Sequence, residues 1–454
     1  MSESPTAIIG GGITGLTAAY KQHLAGRPAV LFERADKIGG KIAETTVAGL
    51  AIPTGPDAFL ARRPEFTALV EQLGLGDSLI SPTATSPRIY RSGRLHRLPP
   101  NVLGVPATAE FGDGGLISSE GQTRAQQDLV APADLPEGDE TVGSLVRRRL
   151  GDEVFEYLVD PLLGGINAGD SDRLSIQAGV PQLDELRKRD ASLIAAAQAT
   201  LADARANPRG PVFHSVSGGL NRVIDRLSTE LHSSPTVEVR TSTDVRLQHS
   251  DGLWSVTAAN SNSDSELMLE SDKVIVTTPA WAGAELLSET NSTTAELLAS
   301  IDYSSVALAT LVFAPETFDV DSAVSGVLVP RAAGHTVTAI SFASNKWPDL
   351  AGDDRQILRV SVGRRNDESW MSQSEAELLT TILDDLGEIL GSDAGSPDAK
   401  ITTWRRSLPQ YDLGHREKVA AIMQAAAKTP GLNLTGAWRD GLGLPACVAA
   451  GQAT

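Results

Sequence analysis

At 454 residues the chain is longer than one hydrophobic core ordinarily serves, so two or three domains are expected. Apolar residues make up 41%, the formal charge is −18 and there is one cysteine. These values argue against nucleic acid or anionic lipid as general partners, and they leave no intrachain disulfide or thiolate metal cluster. No apolar run approaches the ~18–20 residues of a membrane span, and the opening "MSESPT" lacks the features of an export signal, so a cytoplasmic location is expected.

The first elements are carried by "AIIGGGITGLTAAYKQHLAGRPAVLFER". Ala7–Ile9 is a short apolar strand, and Gly10, Gly12 and Gly15 form G-x-G-x-x-G at its end. Ile13, Leu16, Tyr20 and Leu24 then recur at helical spacing up to Gly26, and a second apolar strand, Ala29–Phe32, ends at Glu33. Gly10 permits the turn, Gly12 lets a pyrophosphate approach the backbone, and Gly15 lets helix and strand pack closely. The N–H groups around Gly11, Ile13 and Thr14 face the phosphates at the positive end of the helix dipole. Glu33, placed to accept from both ribose hydroxyls, disfavours a 2′-phosphate. The unit reads as a dinucleotide site.

Two long inserts follow, about 60–212 and 284–400. "TVGSLVRRRLGDEVFEYLVDPLLGGI" and "SIQAGVPQLDELRKRDASLIAAAQATLADARA" are helical in pattern, and a Gly/Pro/Glu-rich loop near 104–138 is expected to be mobile or partly disordered. Between the inserts, "VFHSVSGGLNRVIDRLSTEL" predicts a helix, and "PTVEVRTSTDVRLQ" with "LWSVTAA" predicts β structure around the turn at Asp251-Gly252. "SDKVIVTTPA" is a buried-strand candidate. The chain closes on "LNLTGAWRDGLGLPACVAAGQAT": a strand, a glycine loop and a helix starting near Cys447, which reads as a small packing residue. No internal repeat and no metal-ligand spacing is visible.

With "ERADKIGGKIAET", where Gly39-Gly40 and Lys41 follow Glu33-Arg34, the chain resembles the flavin-containing amine oxidase superfamily. The resemblance implies an α/β fold: a Rossmann-like FAD-binding domain assembled from discontinuous segments (1–50, 213–283 and 404–454), an α+β substrate-binding domain (51–90, 177–212 and 284–403) and a helical insert (91–176). It also implies non-covalent FAD held by Gly10, Gly11, Gly12, Ile13, Thr14, Gly15, Glu33, Arg34, Gly40, Lys41, Gly55, Pro56, Asp57, Ala58, Val245, Trp404, Leu442, Gly443 and Leu444. Val245 reads equally as plain strand core. No second G-x-G-x-x-G marks a nicotinamide domain, so electrons are expected to come from the substrate and leave to oxygen.

Within the superfamily, "GPDAFLARRPEF", "YRSGRLHRLP", "DPLLGGINAGDSDRLS", "NKWP" and "WRRSLPQYDLGH" resemble the porphyrinogen oxidases of heme synthesis, among them the soluble bacterial enzymes that oxidise coproporphyrinogen III. The resemblance implies a porphyrinogen substrate, O2 as acceptor, handover of product to ferrochelatase and at most weak peripheral membrane contact. No catalytic side chain is assigned, because flavin N5 takes the hydride and pyrrole N–H protons can pass to water. Asn167 departs from the pattern, since an aromatic is common there. Propionates call for cations, and "RIYRSGRLHRL" places Arg88, Arg91, Arg94 and Arg97 on one hairpin, near Arg62 and Arg63 in sequence. Arg62, Arg91, Arg97, Gly165, Asn167 and Lys346 are the expected substrate contacts; a solvated hairpin with surface ion pairs is the alternative for the arginines. Two rivals stay open: an amine oxidase using Lys346 beside the flavin, and a flavin-free relative that binds prenylated GTPases. A protoporphyrinogen preference is the nearer alternative.

Overall fold

The computed structural model describes residues 4–108, 111, 114–131, 138–208, 210–262, 266–351 and 355–454. A five-stranded parallel sheet has the order Val237–Arg240, Ala29–Phe32, Thr6–Ile9, Val274–Val276, Leu432–Leu434. Its three central strands are short, apolar and buried, as expected for a parallel sheet covered on both faces. Ile8, Leu31 and Ile275 point to one face, where they meet Leu16 of helix Ile13–Leu24, Leu227 of helix Asn221–His232 and Val448 of helix Leu444–Gln452. Ala7, Val30 and Val276 point to the other, against Leu247, Trp254, Ala280 and Leu298. There the expected hairpin gains a third strand, Glu266–Ser271, whose side chains alternate between exposed and half-buried as on an antiparallel sheet with one wet face.

A seven-stranded sheet forms the second body, in the order Asp398–Pro409, Tyr303–Phe313, Gln356–Val362, Val337–Phe342, Val324–Leu328, Ser86–Arg91, Arg94–Arg97. Position 404, an expected boundary, lies within the edge strand Asp398–Pro409, and position 91 is the last residue of Ser86–Arg91, whose hairpin partner Arg94–Arg97 belongs to the same sheet. One face (Val327, Ile340, Val360, Ala309) packs on Leu378, Ile382 and Leu386 of helix Glu375–Leu390, which opens with a Ser374/Glu377 capping box. The opposite face carries the row Leu328, Ala339, Ser361, Leu308. These four lie in interior strands yet remain half-buried, which marks a hollow above that face.

The helical insert roofs one end of this hollow. Helices Val142–Leu150, Asp160–Asn167, Pro181–Arg189 and Leu193–Ala206 share a core with Ile89 of the large sheet, and Leu328 and Leu442 pack against it. A π-helical turn, Phe155–Val159, leads into Asp160–Asn167. The loop near 104–138 is anchored at several points where it is described. Leu116 and Ile117 are buried and Ser118 caps the helix Ser119–Gln126; the Gly/Pro/Glu composition masked these few anchoring residues. Residues 109–110, 112–113 and 132–137 of that loop lie outside the described residues.

A Cβ on Gly15 would lie 1.9 Å from the Gly10 carbonyl oxygen, so first strand and first helix meet with no room for a side chain. Gly15→Ala should therefore cost about 1–3 kcal/mol, read as a lower Tm in protein stripped of cofactor. An unchanged Tm would contradict the contact.

Candidate active site

The site is built on the carboxyl ends of the parallel strands, where an open α/β sheet binds ligands. Helix Ile13–Leu24 starts at Gly12 with no side-chain cap, so its first N–H groups are free for an anion. A Cβ on Gly12 would meet nothing within 4 Å, so the space over it is open. Gly39 N–H donates to Gly11 O at 2.8 Å, and Gly40 lies against Gly12, which closes one side of the cradle. Glu33 is folded back, accepting from Gly11 N at 2.6 Å and from Ala35 N at 2.8 Å. Arg34 pairs with Asp244 at 2.9 Å, beside Val245, and Thr243 N–H bonds Glu33 O at 2.9 Å. Residues 10–15, Glu33, Arg34 and Val245 thus share one groove. This open cradle, bordered by a carboxylate, fits the diphosphate and ribose of a dinucleotide.

The loop Thr54–Ala58 joins this groove to the hollow of the large sheet. A Cβ on Gly55 would lie 1.8 Å from Lys41 O, so the two backbones touch. Asp57 sits between bodies: its Oδ2 takes Lys346 Nζ at 2.7 Å, Trp347 Nε1 at 3.1 Å and Arg359 at 3.2 Å. Arg359 also donates to Gly55 O, and Trp404 Nε1 donates to Thr54 O at 2.7 Å. Burial alone would raise the Asp57 pKa, but the adjoining Lys346 and Arg359 charges and the hydrogen bonds hold it well below the usual carboxylate range. Pro56 and Ala58 follow the same loop. Arg359 and Trp347 were missed from sequence; the signal for the first was a lone arginine inside the apolar strand "ILRVSV".

The closing segment borders the groove on its other side. Gly441 has φ 124°, and the last helix begins at Leu444, three residues before Cys447. Leu442 packs on the insert core and Leu444 on the parallel-sheet core, so the turn bridges both. Tyr411 OH donates to Ala437 O, and the buried His415 bonds Trp438 O through Nε2 at 2.9 Å. Cys447 is buried and its thiol pKa is raised by desolvation. Lys41 keeps an exposed surface, yet the surrounding protein desolvates its amine and lowers its pKa.

The structure distributes the expected substrate contacts unevenly. A Cβ on Gly165 would lie 3.4 Å from Leu328 Cδ2, and the carbonyl of the buried Asn167 accepts from Gln410, so both border the insert end of the hollow. Lys346 is at the Asp57 end. The arginine hairpin turns at Ser92-Gly93, both with positive φ, but the pairs Arg88–Arg97 and Arg91–Arg94 fall on opposite faces. Arg91 is tied to Glu153 at 3.0 Å and to Leu116 O, and it stacks on Tyr157. Arg62 and Arg97 are exposed, and Arg63 pairs with Glu65 at 2.9 Å.

The family model of flavin containing amine oxidoreductases matches residues 13–454. The chain belongs to this family. It is 32% identical over 460 residues to the coproporphyrinogen III oxidase of Bacillus subtilis (strain 168), covering 98% of this chain and 96% of that protein. It is 33% identical to the coproporphyrinogen III oxidase of Mycobacterium leprae (strain TN), covering 100% and 98%. A crystal structure of a protein from Exiguobacterium sp. 255-15 superposes with a TM-score of 0.87 at 30% identity, over 100% of this chain and 98% of that one. The chain is a flavin oxidoreductase, and no helix among the described residues is long and apolar enough to cross a membrane.

Gly12→Val places its side chain in open space, so the apoprotein should melt as the wild type does while purifying without flavin absorbance; retained flavin would contradict the cradle. His415 has its pKa lowered from 6.5, chiefly by burial, so the unfolded chain binds the extra proton more readily. The stability that neutral His415 contributes is then complete above about pH 6.5 and lost as pH falls through the folded-state pKa. The Tm gap between wild type and His415→Gln should shrink on going from about pH 7.5 to about pH 5; a constant gap would contradict it.

Proposed function

We propose that this chain is an FAD-dependent oxidase that converts coproporphyrinogen III to coproporphyrin III, with O2 as acceptor and H2O2 as by-product, in heme synthesis. The observation that carries the reading is the hollow over the seven-stranded sheet, running from the Asp57 loop to the helical insert beside an open dinucleotide cradle. The full-length likeness to enzymes named coproporphyrinogen III oxidase supports the substrate.

Bound flavin supplies a two-electron acceptor that oxygen can reoxidise, and three such oxidations remove the six electrons and six protons that separate porphyrinogen from porphyrin. The chain holds and orients. The free N–H groups after Gly12 receive the diphosphate, and Glu33 exchanges Gly11 N–H for ribose hydroxyls, which favours FAD. Non-covalent attachment is supported by Cys447, whose sulfur is buried in the core under the last helix. Lys346 and Arg359, locked on Asp57, fix the loop that joins cofactor groove to substrate hollow. Leu308, Leu328 and Ala339 offer an apolar wall to the macrocycle. Pyrrole protons leave to water.

Coproporphyrinogen III supplied in air should give growing porphyrin fluorescence with three peroxides per porphyrin, while NADPH under nitrogen should leave the flavin absorbance intact. The kcat/KM for coproporphyrinogen III should exceed that for protoporphyrinogen IX. The reverse order would overturn the substrate, and no porphyrin from either would overturn the function.

A further inference from the structure

We infer that Arg364 is the carboxylate-binding residue at the insert end of the hollow, where its guanidinium receives a propionate of the porphyrinogen; this rests on the function proposed above. Arg364 is 8% exposed, and four other buried arginines are paired with carboxylates. Arg149 pairs with Asp128 at 2.7 Å, Arg187 with Asp184 and Glu140, Arg359 with Asp57, and Arg365 with Asp302 and Asp412. Among the described residues, Arg364 has no carboxylate within 4 Å, and its one side-chain hydrogen bond runs from Nη2 to Val329 O at 3.2 Å. Nε and Nη1 find no partner among those residues, yet they are not sealed off as Nε of Arg359 is. A buried charge left without a counter-ion is strongly unfavourable, so a site of this kind is completed by an anion. Burial, and then the nearby charge of Arg331, already lower the Arg364 pKa.

Its position matches the hollow. Gly363, with φ 94°, breaks the strand alternation just before Arg364. Val329, its acceptor, follows Leu328, which lines the hollow and touches Gly165. Arg365 N–H bonds Ala168 O at 2.9 Å, tying the same turn to the end of helix Asp160–Asn167. Arg364 therefore lies five residues along the chain from Arg359, on the order of 15 Å of extended backbone, which places cations at both ends of the hollow. Arg331 reinforces this end: it is exposed and donates to the carbonyls of Gly169 and Arg365, at 3.3 and 3.4 Å. Two carboxylates act on Arg364 from a distance. Asp367 is on the outer turn and is bonded by Ser369, whereas Asp160 is buried on the insert helix and makes no ion pair within 4 Å among the described residues. Asp160 is thus a local brake on anion binding.

The test uses flavin-loaded protein and equilibrium quenching of porphyrin fluorescence, with coproporphyrin III and its uncharged tetramethyl ester as probes. Arg364→Met should weaken the acid by about 10–100-fold and leave the ester unchanged, and Arg364→Lys should recover part of the loss. Asp160→Asn, which keeps the arginine, should tighten the acid several-fold and again leave the ester unchanged. Normal wild-type binding with equal changes for acid and ester, or none, would overturn the assignment of Arg364 alone, as would weaker acid binding in Asp160→Asn. Wild-type protein that binds neither porphyrin would overturn the proposed function and this assignment with it.

Discussion

The carboxylate of Asp57 is held by Lys346, Trp347 and Arg359, three side chains from the large sheet and the turn beside it, while its own loop touches Lys41 in the cofactor groove. Two bodies with separate cores are thereby set against each other at the point where, on the function proposed above, cofactor ring and substrate meet. A partly buried pair of this kind contributes less through net stability than through position, since desolvation opposes much of the Coulomb attraction. Its value is geometric: it fixes the floor of the hollow relative to the cradle, and the remaining parts of the site are arranged around it.

The closing segment completes the same junction from the other side. The last strand in chain order, Leu432–Leu434, pairs at the edge of the parallel sheet, and the glycine turn after it presses Leu442 on the insert and Leu444 on the sheet core. Tyr411 and His415, from the segment after the large sheet, hold the backbone of that turn through carbonyls. The parts that border the groove are thus braced by parts that border the hollow.

Sequence made the dinucleotide unit legible in detail because its constraints are local: a strand, three glycines, a helix face and an acid lie within 33 residues. The discontinuous assembly was visible only through resemblance, since nothing in the composition of "LNLT" says which sheet it joins. The arginine hairpin shows the limit of counting charges. Its turn was legible at Ser92-Gly93, but cross-strand pairing sends two arginines to each face, and Glu153, remote in sequence, captures Arg91. Arg359 and Arg364 carried almost no signal, because burial and the choice of partner are properties of the fold. In the 104–138 stretch the composition of a loop hid two anchoring side chains, Leu116 and Ile117, for a related reason.

If one hollow presents a porphyrinogen to a flavin held across the Asp57 loop, the flavin must take its electrons from that substrate with no oxygen present. Anaerobic mixing of the flavin-loaded protein with coproporphyrinogen III puts this to the proof, because reoxidation then hides nothing. Rapid bleaching of the visible flavin absorbance by the porphyrinogen is expected, and none by a simple primary amine. Bleaching by the amine alone would contradict this arrangement, and would make the hollow the site of an amine oxidase.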